Sequence, residues 1–179
     1  MVEALLIEQV KKGDKKAFER LVQSTQQRGL NIAYGILNNS LDAEEVLQEA
    51  YLQVYQNIGK LKAPEAFHSW FGKIITHLAL RRSRENGRVN TLPLDFIGQV
   101  EDTICDGPET IFIKKENQEQ LINALKKLPG EYKAALILRD WEHYSYQEIS
   151  GMLDIPVGTV KSRIFTARRN LLRILEGGH

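Results

Sequence analysis

The positive charge near the end of the chain is concentrated on one predicted helix. Residues 157–173 contain five basic side chains, and the first acidic residue after them is Glu176. The five are Lys161, Arg163, Arg168, Arg169 and Arg173. Cations clustered in this way are typical of a surface that binds nucleic-acid phosphates, although a solvent-exposed basic helix has the same composition. The residues that precede the helix decide between these two interpretations.

A helix-turn-helix pattern leads into this basic helix. Ser145 and Glu148 have the spacing of a capping box, which predicts a first helix over residues 145–153. Asp154 stands at the following turn, where the backbone must tolerate left-handed geometry, and Pro156 suits the start of the second helix. The apolar residues with the spacing to bury the two helices against each other are Ile149, Leu153, Ile155 and Val160. Together these features favour a DNA-binding helix-turn-helix.

The position of each side chain along the second helix predicts what it contacts. In a helix-turn-helix, the N-terminal residues of the second helix meet base edges in the major groove. Lys161, Ser162 and Phe165 lie in these early turns and could supply hydrogen-bond donors and a thymine-methyl contact. Arg168 and Arg169 lie later, so we expect them to contact backbone phosphates.

Charge alternates in blocks along the first half of the chain. Residues 40–57 contain four acidic residues and no basic one, whereas residues 58–90 carry a net charge of +5. Asp42 and Glu45 have the spacing of a capping box, which predicts that the acidic helix begins at Asp42. The basic block predicts a second polyanion-binding surface, and the acidic helix suits a basic protein partner. Trp70 and Phe71, within the basic block, either fill the core or stack on unpaired bases.

The overall composition describes an ordinary folded protein. The chain has 179 residues, of which 42% are hydrophobic and 26% are charged. Helical periodicity covers nearly all of it, so we expect an all-α fold. The periodicity fails over residues 87–113, an acidic stretch that we interpret as a flexible linker between two small helical domains, residues 1–86 and 114–179. The single cysteine, Cys105, excludes a disulfide framework.

No pattern in the sequence predicts catalysis or a membrane segment. The four histidines lack metal-ligand spacing, and there is no glycine-rich phosphate loop. We therefore expect a protein that is not an enzyme and uses no metal, cofactor or small-molecule substrate. No apolar run approaches the about 20 residues that a transmembrane helix needs, and there is no signal-peptide pattern, so we expect a cytoplasmic protein.

Four motifs resemble those of a known family. In the C-terminal half they are Tyr146-Gln-Glu-Ile-Ser and Pro156-Val-Gly-Thr-Val-Lys-Ser-Arg-Ile. In the N-terminal half they are Asp42-Ala-Glu-Glu-Val-Leu-Gln-Glu-Ala-Tyr and Phe67-His-Ser-Trp-Phe-Gly-Lys-Ile-Ile. In this order and spacing they resemble bacterial RNA polymerase sigma factors of the extracytoplasmic-function class, group 4 of the sigma-70 family.

The resemblance implies a domain organisation and a function. Residues 1–86 correspond to sigma region 2, a helical bundle that binds core polymerase and the minus-ten promoter element. Residues 114–179 correspond to sigma region 4, a helix-turn-helix that binds the minus-thirty-five element. The implied activity is promoter-specific transcription initiation with core RNA polymerase, contacted at its clamp helices and its flap. The implied regulator is an anti-sigma factor, which in this class is commonly membrane-anchored.

The resemblance also implies three sets of contact residues. Those facing the polymerase clamp are Asp42, Glu45, Gln48, Glu49 and Leu52. Those facing minus-ten DNA are Asn57, Lys60, Lys62, Phe67, Trp70, Phe71, Lys73, His77 and Arg81. Those facing minus-thirty-five DNA are Arg139, Tyr146, Gln147, Thr159, Lys161, Ser162, Phe165, Arg168 and Arg169. The residues at 71, 77, 81 and 166 depart from those usual in the class, so the promoter sequence does not transfer.

Two other interpretations stay open at this point. A helix-turn-helix repressor or activator would use the N-terminal half as a sensor or dimerisation domain and would bind duplex DNA tightly by itself. A pure interaction protein would sequester polymerase through the acidic helix, although the basic second helix argues against this. In vitro transcription with core enzyme distinguishes all three.

Overall fold

The computed structural model describes residues 2–87 and 118–176. The linker predicted for residues 87–113, together with Cys105, lies outside the described residues except for Gly87. Over the described ranges the chain is helical and has no strand, which confirms the all-α prediction. The α-helices are α1 (Val2–Lys11), α2 (Lys15–Leu37), α3 (Ser40–Asn57), α4 (Phe67–Glu85), α5 (Gln118–Lys127), α6 (Gly130–Leu136), α7 (Tyr146–Leu153) and α8 (Val157–Glu176).

Short turns of other helical types complete the described chain. The 3-10 turns Ile58–Lys60 and Pro64–Ala66 connect α3 to α4. A π-helical turn, Ile137–Trp141, continues directly from α6.

Side chains at the helix ends explain where the first long helices begin. The Asp14 carboxylate accepts hydrogen bonds from the amides of Lys16 and Ala17, which starts α2. Asn38 ends α2 in left-handed geometry with φ 51°. The predicted start of α3 at Asp42 is wrong, because the Asn39 side chain, on extended backbone, reaches the amides of Leu41 and Asp42 and begins the helix at Ser40.

The N-terminal helical group is built on α2, α3 and α4, which pack against one another. At Gly29 on α2 a Cβ atom would lie only 2.5 Å from Leu47 Cδ1 of α3, so the glycine permits the close approach of these helices. Aromatic rings fill the space between α3 and α4. The Phe71 ring stacks on Tyr51 and on Phe67, with centroid distances of 5.1 Å and 5.6 Å.

The C-terminal helical group contains the predicted helix-turn-helix. Ser145 and Glu148 form the capping box that begins α7. Asp154 then ends α7 with φ 54°, the left-handed conformation that the sequence predicted for the turn. The buried side chains that hold this group together are Ile149, Val160, Ile164, Leu121, Leu125, Leu128, Leu136 and Leu171.

The two helical groups share one apolar core. Ile137 of the π-helical turn packs on Gly35 of α2, where a Cβ atom would lie 2.6 Å from Ile137 Cδ1. Met152 of α7 packs on Gly72 of α4, where a Cβ atom would lie 2.5 Å from Met152 Cε. One cluster of buried side chains contains residues of both groups, and a second cluster lies within the C-terminal group. The domain boundaries at 86 and 114 therefore stay a prediction.

The capping box of α7 gives a testable stability prediction. Hydrogen bonds from Ser145 lower the pKa of Glu148 below its ordinary value of 4.5. The box therefore stabilises the fold above that pH, and this stabilisation is lost as the pH falls through the lowered pKa. We expect Ser145→Ala to reduce the free energy of unfolding by about 1 kcal/mol at pH 7 and by less at pH 3. Urea denaturation followed by circular dichroism measures both values, and an equal loss at both pH values would contradict the assignment.

Candidate nucleic-acid interface

The helix-turn-helix presents a polar surface made by its second helix. Lys161 and Phe165 are exposed in the first turns of α8, and the Phe165 side chain is 40% accessible. Ser162 is partly buried, and its hydroxyl donates to the carbonyl oxygen of Thr159 at 3.0 Å. Val160 and Ile164 lie on the opposite face, in the core. The helix therefore divides into a buried face and a face that can meet a ligand.

Three predicted DNA contacts form one cluster around the Tyr146 ring. Arg139 of the π-helical turn places its guanidinium carbon 4.5 Å from the ring centroid, and Lys161 Nζ of α8 lies 5.4 Å from it. The Arg139 guanidinium also donates to the carbonyl oxygen of Tyr144 at 3.0 Å. Gln147 is exposed beside Tyr146. Cation–π contacts hold the two positive charges on one side of the domain, where they create a positive potential toward an approaching phosphate backbone.

Arg168, predicted to contact phosphate, is paired with an acid within the chain. Its guanidinium forms a two-fold ion pair with the Asp140 carboxylate, and Arg168 Nε lies 3.0 Å from Asp140 Oδ2. This pairing raises the pKa of Arg168. The Arg168 charge is paired within the C-terminal helical group because Asp140 of the π-helical turn lies opposite it. Arg169 instead lies 5.9 Å from the Phe165 ring centroid and has no carboxylate partner among the described residues, so it remains the candidate phosphate contact of this pair.

The structure also corrects the assignment of Phe67 and Phe71. Both rings are buried, at 0% and 2% accessibility, and they stack on each other inside the N-terminal group. They are core residues that no base can reach while the fold is intact. Trp70 is partly exposed and packs against Phe67 at a centroid distance of 6.2 Å. Of the adjacent residues Trp70 and Phe71, Trp70 is therefore the one that can contact a ligand.

The loop between α3 and α4 carries two exposed lysines. Lys60 Nζ donates to Asn57 Oδ1 at 2.8 Å, and the Asn57 amide donates in turn to the carbonyl oxygen of Gln53. Lys62 is exposed two residues later. Of the three predicted residues, Asn57 and Lys60 are therefore in contact, and Lys62 lies at the surface nearby in sequence.

Two further predicted minus-ten residues contact the helix-turn-helix. Lys73 Nζ donates to the Asp154 carboxylate at 2.6 Å, and His77 Nε2 lies 2.8 Å from the carbonyl oxygen of Met152. Lys73 lowers the pKa of Asp154 by this hydrogen bond. Sequence reasoning missed this contact, because it placed Lys73 and Asp154 in separate domains.

The predicted polymerase-facing acids of α3 are paired with the basic end of α4. Glu49 accepts from Arg81 at 2.7 Å, and Glu45 accepts from Arg82 at 2.6 Å. Asp42 lies 3.5 Å from the same Arg82 guanidinium. These hydrogen bonds raise the pKa of both arginines. The acidic helix is therefore partly neutralised within the chain, and the predicted DNA contact Arg81 is engaged there.

An exposed stripe runs along the outer face of α3. Its members repeat every three or four residues, which places them on one side of a helix. They are Leu41, Glu45, Gln48, Leu52 and Tyr55. The predicted set contained Glu45, Gln48 and Leu52 but not the exposed apolar residues Leu41 and Tyr55. Their helical spacing from Leu52 was the signal in the sequence that could have found them.

Two searches of the described residues found no further site. Among residues 2–87 and 118–176, no three histidine, cysteine or carboxylate side chains group closely enough to hold a metal ion. No helix in those ranges combines the length and apolarity needed to cross a bilayer.

Family comparisons place both helical groups in one class of protein. Residues 21–89 match sigma-70 region 2, and residues 118–171 match sigma-70 region 4. These matches cover α3, α4 and most of α2 in the first group, and α5 to α7 with most of α8 in the second. The chain therefore contains sigma-70 regions 2 and 4.

Individual relatives refine this assignment. The chain is 32% identical to the ECF RNA polymerase sigma factor SigW of Bacillus subtilis, over 95% of each chain. It is 30% identical to the RNA polymerase sigma-H factor of Pseudomonas aeruginosa, over 96% of this chain and 92% of that one. The chain belongs to the extracytoplasmic-function sigma factors of RNA polymerase, a family of transcription initiation factors.

Two solved structures share the fold. CnrH in complex with the cytosolic domain of CnrY is similar with a TM-score of 0.73 at 18% identity, over 100% of both chains. The sigma factor RpoE of Bartonella quintana, in complex with the anti-sigma factor NepR, is similar with a TM-score of 0.68 at 19% identity, over 92% of this chain and 99% of that one.

The burial of the adjacent aromatic residues gives a stability prediction. We expect Phe71→Ala to lower the free energy of unfolding by about 3–5 kcal/mol, because it removes a ring stacked between Tyr51 and Phe67. Trp70→Ala is the matched control, and we expect a clearly smaller loss because the ring is partly exposed. Urea denaturation of both variants measures the difference. Equal losses would place Trp70 in the core as well.

Proposed function

We propose that the chain binds core RNA polymerase and directs initiation at promoters that contain a minus-ten and a minus-thirty-five element. The observation that supports this best is the cluster of Arg139, Tyr146 and Lys161 on the exposed side of the helix-turn-helix. A surface of this kind is expected on a protein that reads duplex DNA. We infer core polymerase as the partner from the family to which the chain belongs, because sigma factors initiate transcription together with that enzyme.

The minus-thirty-five element is proposed to bind α8 and the start of α7. Lys161 and Ser162 lie in the first turns of α8, where a recognition helix contacts base edges. Phe165 follows on the same exposed side and offers an apolar contact to a thymine methyl group. Arg169, together with Arg139, is proposed to bind phosphates.

The minus-ten element is proposed to bind α4 and the loop before it. Trp70 is the partly exposed aromatic residue of this helix, and aromatic side chains stack on unpaired bases. Lys60 and Lys62 are exposed on the loop, where their charges suit the backbone of a single strand. Lys73, His77 and Arg81 extend this surface along α4.

The core polymerase is proposed to bind the exposed stripe of α3. The stripe combines large apolar side chains with acidic and amide groups, a mixture typical of protein interfaces. Leu52 is 63% accessible and Leu41 is 70% accessible, so both offer apolar surface to a partner. The nearby acids Asp42 and Glu49 suit a basic partner surface.

A protein that restrains the sigma factor is proposed as a further partner. CnrH and RpoE, which share this fold, were solved in complex with CnrY and with the anti-sigma factor NepR, respectively. By analogy, we propose an anti-sigma factor that binds this chain and withholds it from polymerase.

In vitro transcription tests the proposed function directly. The purified chain is added to core RNA polymerase with a library of promoter fragments, and the transcripts are sequenced. We expect specific start sites that need both the chain and the core enzyme. A helix-turn-helix repressor would instead bind duplex DNA tightly without polymerase and produce no transcript.

The polymerase surface gives a prediction with a matched control. We expect Leu52→Glu to weaken binding to core polymerase at least about tenfold, because it places a charge in an apolar contact. Leu5→Glu changes a leucine of nearly the same exposure, 62% against 63% for Leu52, on α1 and is expected to leave the affinity unchanged. Titration of labelled core enzyme by fluorescence anisotropy measures both values. If both variants changed the affinity for core polymerase equally, α3 would not be part of the interface.

The DNA surface gives a second prediction. We expect Lys161→Ala to change the preferred minus-thirty-five sequence, because a good base contact contributes about 1–3 kcal/mol of discrimination. Arg169→Ala is expected to weaken binding to all sequences and to lower the salt dependence by about one phosphate contact. Holoenzyme binding to a promoter library at two salt concentrations separates the two effects. If Arg169→Ala instead changed the preferred sequence and Lys161→Ala weakened binding to all sequences, α8 would lie in the groove in the opposite orientation.

A further inference from the structure

We infer that the corner between α1 and α2 is an additional surface for single-stranded DNA, which binds the backbone of the strand that continues past the minus-ten element. The corner is defined by four cations, Lys12, Lys15, Lys16 and Arg20. Its ligand is the sugar-phosphate backbone, with no requirement for base sequence. This inference rests on the proposed function, because the same strand must first be held at α4 and the loop between α3 and α4.

The corner concentrates unpaired positive charge at one end of the N-terminal group. Residues 11–20 contain five basic and two acidic residues, a net charge of +3. All four corner cations are exposed, and among the described residues none of them has a carboxylate partner within 4 Å. The fifth base, Lys11, is paired with Glu8 at 2.7 Å. Cations without an internal partner keep their attraction for a polyanion.

The two acids of this segment do not pair with the corner cations. The Asp14 carboxylate accepts hydrogen bonds from the backbone amides of Lys16 and Ala17, so it caps α2. Glu19 is exposed and forms no ion pair within the described part of the chain. The corner therefore differs from the paired basic positions of the chain. The arginines with a carboxylate within 4 Å are Arg28, Arg81, Arg82, Arg84, Arg163 and Arg168.

The corner lies next to the loop between α3 and α4. The Phe18 ring, on α2 between Lys15 and Arg20, contacts the Tyr55 ring edge-on at a centroid distance of 5.2 Å. Tyr55 is near the end of α3, five residues before Lys60 of the loop. The helix α1 also lies against both 3-10 turns of the loop. A strand that leaves the loop on this side therefore meets the corner.

The dimensions of the corner suit a short single strand. The ten residues of α1 span about 15 Å. Cα atoms of α1 lie within 8 Å of Cα atoms in both 3-10 turns. The end of α1 is thus at most about 23 Å from the loop, which about seven nucleotides cover at the stacked spacing of about 3.4 Å. Surfaces that bind single strands contact about 4–16 nucleotides.

Charge favours DNA over polymerase as the ligand of the corner. The exposed stripe of α3 and the acids beside it suit a basic polymerase surface, and the corner cations would repel such a surface. The loop lysines Lys60 and Lys62 instead continue the positive charge from the corner toward α4. A phosphate backbone is the ligand whose charge is opposite to that of both the loop and the corner.

A double variant removes charge from the corner, and a matched control removes the same charge elsewhere. The corner variant is Lys15→Gln with Lys16→Gln, and the control is Lys126→Gln with Lys127→Gln on α5. All four lysines are exposed, and none of them is a proposed DNA or polymerase contact. Lysine and glutamine have similar helix propensities, so we expect both variants to fold as the native chain does. Urea denaturation verifies this.

The experiment uses holoenzyme assembled from core polymerase and the full chain. The probe is a fluorescent single strand that carries a minus-ten sequence found in the transcription experiment above, extended by about seven mixed-sequence nucleotides on its 5′ or its 3′ side. Anisotropy measures the affinity at several salt concentrations. We expect the corner variant to bind one extended probe at least about fivefold more weakly at 0.1 M salt, with a salt slope smaller by about 1.4, since each single-strand phosphate contact contributes about 0.7.

The control variant is expected to keep the native affinity and slope. A corner variant with the native slope on both extended probes would overturn the inference. Removing the extension provides an independent test, because it is expected to weaken binding of the native holoenzyme clearly more than binding of the corner variant. Equal losses in the two proteins, for both extensions, would also overturn the inference.

Two further measurements separate the competing explanations. Titration of core polymerase without DNA is expected to give the same affinity for the native chain and the corner variant. A variant that binds core polymerase at least about fivefold more weakly would assign the corner to polymerase and overturn the inference. A native chain that supports no transcription with core polymerase would refute the proposed function. A native chain that initiates transcription while the corner variant keeps the native salt slope would refute the corner alone.

Discussion

Apolar packing of the C-terminal helical group onto two glycines of the N-terminal group is the contact on which the arrangement of the molecule depends. Ile137 occupies the space over Gly35 and Met152 the space over Gly72. Because a glycine lacks a Cβ atom, each one lets a large side chain approach the helix backbone. Burial of these side chains contributes a hydrophobic free energy that exposed ion pairs do not match. The polar contacts around them fix the orientation rather than supply most of the stability.

Several basic residues near the proposed binding surfaces have an acidic partner within the chain. Arg81 and Arg82 pair with acids of α3, Arg168 pairs with Asp140, and Lys73 pairs with Asp154. A formal net charge of +1 over 179 residues therefore hides basic surfaces that are neutralised locally. Pairing of this kind lowers the positive potential that these side chains present to a polyanion.

Sequence reasoning reached the fold and the family because their signals are local. Capping boxes, turn residues and apolar spacing act within a few residues, so they identified α7, the Asp154 turn and α8. Contacts between distant parts of the chain carried no such signal. The Asp140 partner of Arg168 and the Asp154 partner of Lys73 lie 28 and 81 residues away in sequence. Phe71 is buried and its neighbour Trp70 is half-exposed because of the way α4 packs on α3. Helical periodicity limits which face of α4 is buried, but it does not determine which of these two adjacent rings lies inside.

The ion pairs between α3 and α4 connect the two binding surfaces of the N-terminal group. Glu49 and Glu45 lie on the helix proposed to bind polymerase, and their partners Arg81 and Arg82 lie on the helix proposed to bind DNA. Exposed ion pairs of this kind contribute about 0–1 kcal/mol each, so a basic partner can displace an arginine at little cost. If a polymerase surface took up the glutamates, the arginines would become free to attract phosphate. Binding of protein on one helix would then strengthen binding of DNA on the other, and the coupling would be reciprocal.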